Sequence, residues 1–213
     1  MYMRSAALWL TIVGLALAGM AALGEDPVKD PEALQKLYQD GNFREAYQGF
    51  RALALDPQAD PRQVGHYLNM AHACLQNLGD LEEVDEFREQ VIGIHGGNWR
   101  LLHAAAESYL AIEHWGYRVA GKFHRGGKRG GGEVVNAVER DRVRALQLLV
   151  QAMPLARQDD AHGEVAQLFL TLARALLNHS GYGEAWRLQA LTDLAELPDY
   201  EPGWYYGRGG TAA

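Results

Sequence analysis

Residues 31–57 read PEALQKLYQDGNFREAYQGFRALALDP, and this stretch decides the fold class. Apolar side chains at Leu37 and Tyr38, then at Phe43, Ala46 and Phe50, recur three and four positions apart, which is the helical period. Gly41 falls between the two runs and Asp56-Pro57 closes the second, so the stretch predicts two helices joined by a tight turn. Residues 142–153, RVRALQLLVQAM, repeat the period, and strand signals are scarce beyond residue 30. The chain reads as all-α.

Working outward, the same pair recurs. Tetratricopeptide repeats place a small residue where two helices cross, a Gly at the turn, an aromatic two positions later and an Ala three beyond that, and residues 31–57 resemble this pattern, one residue short between Ala46 and Pro57. Residues 67–91 carry Ala71, Leu75, Gly79, Leu81, Val84 and Phe87 at matching intervals. Residues 168–194 carry Leu172, Ala173, Leu176, Tyr182 and Ala185. A third pair has its first helix in residues 98–117 and its second in residues 141–156, with Ala145, Leu149 and Ala152 in register. Each amphipathic pair needs neighbours to cover its apolar face, so the expectation is a TPR-like alpha-solenoid of about four helical hairpins. The domain plan is residues 1–24 as a signal peptide, 25–198 as the repeat domain, and 199–213 as a linker or the start of a following domain.

The third pair is interrupted by GYRVAGKFHRGGKRGGGE, residues 116–133, with five Lys or Arg, one His and seven Gly. More than twenty residues between paired helices make this a long glycine-rich basic loop inserted in the third hairpin. It lacks the spacing and the hydroxyl of a phosphate-cradling loop, and Val119-Ala120 is too short to be the strand that a dinucleotide site requires. Arg118, Lys122, Arg125, Lys128 and Arg129 then form a cationic patch with two open readings. It contacts an anion or an acidic protein partner, or it is a solvated loop or one pinned by the chain's own acidic run at residues 80–89, DLEEVDEFRE. A catalytic or anion-responsive version would join His124 and Arg125 to a carboxylate such as Glu139.

The remaining chemistry is sparse. No histidine pair has the spacing that puts two ligands on one helical face, so no metal or cofactor is expected. Cys74, the single cysteine, falls inside an apolar stripe and reads as a buried thiol, and His103, His114, Trp99, Trp115 and Trp186 read as helical packing residues. Trp204, Tyr205 and Tyr206 form an aromatic cluster without a helical stripe beside it. A concave face built from the first helix of each pair would present Asn69, His72, Gln76, His103 and Glu107 to a protein or peptide partner.

The N-terminus has one charge, Arg4, before an apolar run from Ala6 to about Ala22 and small residues up to Gly24, which is the plan of a secretory signal peptide. Cleavage after Gly24 would make the product exported, to periplasm, cell envelope or medium. An uncleaved segment would instead anchor it in the membrane. Losing Arg4 would take the formal charge from −7 to −8, which disfavours nucleic acid as a partner.

Finally, residues 121–153, GKFHRGGKRGGGEVVNAVERDRVRALQLLVQAM, and residues 181–206, GYGEAWRLQALTDLAELPDYEPGWYY, resemble the N-terminal helical region of bacterial alpha-2-macroglobulin-like exported proteins. That resemblance implies a non-catalytic module ahead of β-sandwich domains that trap proteases. The Cys-x-Glu-Gln thioester found in some members does not occur in this sequence.

Overall fold

The computed structural model describes residues 28–127, 131–177 and 193–203. The helices are α1 (Pro31–Gln39), α2 (Phe43–Ala54), α3 (Val64–Leu78), α4 (Val84–His95), α5 (Trp99–Ala111), α6 (Val138–Ala156) and α7 (His162–Leu177). A short 3-10 turn at Leu81–Glu83 leads into α4. The strands are β1 (Trp115–Val119), β2 (Lys122–Arg125), β3 (Glu133–Asn136) and β4 (Glu201–Pro202). Residues 1–24, Lys128, Arg129, Tyr182, Ala185, Trp186 and the 204–206 aromatics lie outside the described residues.

The helices start and stop where side-chain chemistry says they should. Asp30 accepts a hydrogen bond from the Glu32 amide at the head of α1, with Pro31 in the first turn. Gly41 takes a φ of +83° in the turn to α2, and Asn98 caps α5 by accepting from the amides of Arg100 and Leu101. Most helices pack on their neighbours in the chain, α1 on α2, α2 on α3, α5 on α6 and α6 on α7, whereas α3 packs more on α5 than on α4, which lies more loosely against both. Leu34, Phe50, Leu68, Leu102, Leu146 and Leu149 form a continuous core through that stack. At the α1–α2 crossing Gly49 permits close approach, since a Cβ there would lie 2.1 Å from Leu34 Cδ2 and 2.5 Å from the Val28 carbonyl oxygen.

The all-α expectation is corrected within residues 115–136, because β1, β2 and β3 lie there. They form most of an antiparallel sheet of order β2-β1-β3-β4. Val119 stands opposite Lys122, leaving Ala120-Gly121 as a two-residue turn with φ of +50° and +81°. Positive φ at both positions gives the hairpin turn whose twist matches its strands. The insertion therefore sits where the sequence places it, between α5 and α6, but as sheet instead of loop, and Trp115 belongs to β1 and not to a helix.

The segment before residue 203 closes on this sheet. Glu201 and Pro202 pair with β3, and the Tyr200 ring stacks on Phe123 of β2 at 4.5 Å. No helix among the described residues is long and apolar enough to cross a membrane.

Candidate functional site

Two places gather the polar side chains singled out in the sequence. The first lies under the sheet. Arg125, 5% exposed, donates to both carboxylate oxygens of Asp141 at 2.8 and 3.0 Å, to Asp85 through Nε at 3.0 Å, and to the Glu113 carbonyl at 2.7 Å. Asp141 also meets His114 Nδ1 at 2.8 Å. Burial alone would raise the Asp141 carboxyl, but the bonds from His114 and Arg125 outweigh it and hold it below the usual range. His124 Nδ1 meets Glu82 at 2.7 Å. Arg88, fully buried, donates to Asp85 at 2.5 Å and to Ser108 at 3.1 Å, with its guanidinium 3.4 Å from the Tyr109 ring centroid.

These contacts engage part of the basic stretch within the fold. Arg125 cannot reach a partner, because it is buried and engaged by Asp85 and Asp141, one of which belongs to the acidic run at residues 80–89. Arg118 pairs with Glu133 across β1 and β3 at 2.7 Å, while Lys122 is exposed at the hairpin turn. Lys128 and Arg129 lie outside the described residues. Glu139 accepts from Arg142 on its own helix, so its carboxylate serves α6. A cavity of about 330 Å³ beside this cluster is lined by Arg140, Arg144, Glu89, Tyr109, Leu197 and Tyr200. Arg144 pairs with Glu89 at 2.7 Å, and Arg140 donates to the Pro198 carbonyl at 2.7 Å with its guanidinium 4.9 Å from the Tyr200 ring centroid.

The second place lies between α3 and α5. Asn69, His72 and Gln76, spaced three and four apart on α3, line a cavity of about 160 Å³ together with Ser108 of α5 and the apolar walls of Val84 and Ile112. His72 is 7% exposed, and its Nε2 is buried without a hydrogen-bond partner. Its ring packs edge-on against Phe87 at 5.9 Å. Burial, reinforced by Arg88 and then Arg125, pushes its pKa down to about 3, so the imidazole is neutral at ordinary pH.

The five residues expected on the concave face therefore divide. Asn69, His72 and Gln76 come together, whereas His103 and Glu107 belong to the α5–α7 seam: His103 Nε2 meets Thr171 at 2.9 Å, and Thr171 donates to Glu107 at 3.2 Å. α7 packs on that side of α5, with His103 half-buried against it and Glu107 still exposed. Ser108 and Arg88 were not anticipated. Their only sequence signal is a polar residue at a core-facing helical position, which the apolar period passes over.

Cys74 is buried and its thiol is pushed up to about 11 by burial. Trp99 is buried and donates to Asp159 at 3.0 Å. Among the described residues, no group of three or more His, Cys, Asp or Glu could hold a metal ion. No family model, curated protein or solved structure matches the chain.

Proposed function

We propose that the chain is a non-catalytic helical-repeat module for protein–protein interaction that holds a peptide segment of its partner along the α3–α5 face. The observation that carries this reading is the convergence of Asn69, His72, Gln76 and Ser108 around one cavity. Stacked helices bind extended partners through many modest contacts on one face. Polar groups at three- and four-residue spacing on α3 provide such a row.

The TPR-like solenoid of about four hairpins belongs to the same reading, supported by the packing of α1 on α2, α2 on α3, α5 on α6 and α6 on α7 and by Gly41, Ala46, Ala71 and Gly79 at repeat positions. So does export through residues 1–24, and so does a place at the head of an alpha-2-macroglobulin-like protease-trapping protein, supported by residues 121–153 and 181–206. The alternative is a free-standing periplasmic TPR scaffold. An anion-binding module centred on the basic stretch is disfavoured, because Arg125 is engaged by Asp85 and Asp141.

The test is selection of a displayed peptide library on the immobilised chain, repeated with an Asn69→Ala/Gln76→Ala variant. Both side chains are exposed, so the variant keeps its fold. Peptides retained by the original chain and lost by the variant are expected. Equal retention by both would reject this face as the binding surface.

A further inference from the structure

We propose that the cavity between α3 and α5 is a carboxylate-binding pocket, taking an acidic side chain of the bound segment; this rests on reading that face as the binding face. Three groups on its wall can donate a hydrogen bond to a ligand, namely the amides of Asn69 and Gln76 and the imidazole of His72, and no Asp or Glu lines it. A volume of about 160 Å³ is several times the roughly 10–15 Å³ that one water requires. It accommodates a carboxylate and the methylenes that carry it, with Val84, Ala111 and Ile112 against the methylenes.

The surroundings favour a negative ligand over a neutral one. Arg88 stands directly behind Ser108, its Nη1 3.1 Å from the hydroxyl oxygen, and its own Nε is buried without a partner. Ser108 donates a hydrogen bond to the Ala105 carbonyl at 2.8 Å, so the hydroxyl is held between the guanidinium and the helix backbone. Burial first, and then Arg88 and Arg125, disfavour a proton on His72; of these causes the two guanidiniums also favour an anion nearby. A neutral imidazole still carries one N–H to donate. An incoming carboxylate would give that buried ring the hydrogen bond it lacks within the fold, without burying another cation.

The experiment is an NMR titration of the full chain with sodium acetate, acetamide and methylammonium chloride at constant ionic strength, following the His72 ring and the Asn69 and Gln76 side-chain amides. Acetate is expected to saturate and to bind about tenfold more tightly than acetamide, equivalent to about 1.4 kcal/mol, and methylammonium is expected to leave the signals in place. His72→Phe should weaken acetate binding by about tenfold or more. If that variant does not fold, the Asn69→Ala/Gln76→Ala variant should weaken it several-fold. Acetamide binding as tightly as acetate, or acetate binding unchanged in the variants, would overturn the proposal. The two readings fail separately: acetate bound while no peptide is captured removes the protein-binding reading and leaves the pocket. Captured peptides that depend on Asn69 and Gln76 but carry no acidic residue remove the carboxylate pocket and leave the binding face.

Discussion

Replacing His72 with Phe should flatten the acid sensitivity of the fold. The substitution keeps an aromatic ring against Phe87 and removes the only titratable group on that wall of the cavity. In the unfolded chain a histidine titrates near 6.5, whereas burial and the two arginines bring His72 down to about 3 in the folded chain. As pH falls below about 6.5 the unfolded state takes up the proton first, so stability declines steadily until about pH 3. Between pH 7.5 and 5 that loss comes to about 2 kcal/mol, which for a chain of this size is a Tm difference of about 4–8 °C. Asp141, Glu89 and Glu107, all held below the usual carboxylate range, lose their contribution only at lower pH and do so in both proteins. The assay is urea unfolding of both proteins from pH 7.5 to 5 in buffers free of carboxylates, which would occupy the proposed pocket. The original chain should lose about 2 kcal/mol more than the variant over that interval. Parallel decline of the two would refute the burial of an unprotonated His72.

Three further outcomes follow from the packing. Arg125→Met leaves Asp141 and Asp85 without their buried cation and should destabilise the chain by about 3–5 kcal/mol in urea unfolding, with Arg125→Met/Asp141→Leu recovering most of it. Gly49→Ala puts a Cβ into Leu34 and the Val28 carbonyl and should cost about 1–3 kcal/mol, read as a lowered Tm. The backbone amides bonded within β1, β2 and β3 should exchange with deuterium slowly, alongside those of α5 and α6, whereas a solvated glycine-rich loop would exchange at unprotected rates.

How much of this was legible in the sequence depends on which physical signal each element carries. Helices α1 to α7 write their period directly into residues such as Ala46, Phe50, Leu68, Leu75, Leu146 and Leu149, because each buries one continuous face. The sheet was hidden for the opposite reason. Its strands span two to five residues, and what β2 buries is His124 and Arg125. Two polar residues facing inward read as solvated when burial is inferred from apolarity alone. Their compensation comes from Glu82, Asp85 and Asp141, which lie 16 or more positions away in the chain. The turn at Ala120-Gly121 was the local clue, since a Gly flanked by WGYRV and KFHR is a hairpin signal.

The site divides in the same way. Asn69, His72 and Gln76 share a helix, so their spacing alone put them on one side of α3. Ser108 and Arg88 joined them through the packing of α4 and α5, and α7 drew His103 and Glu107 to its own seam through Thr171. Neither event is encoded within one helix.

The most direct measurement of the central claim is a crystal structure of the chain with a peptide selected on it. The account predicts the peptide along α3 and α5, beside Asn69 and Gln76, with an acidic side chain in the cavity against His72. A peptide seated on the sheet or on α7, with the α3–α5 cavity unchanged, would contradict it.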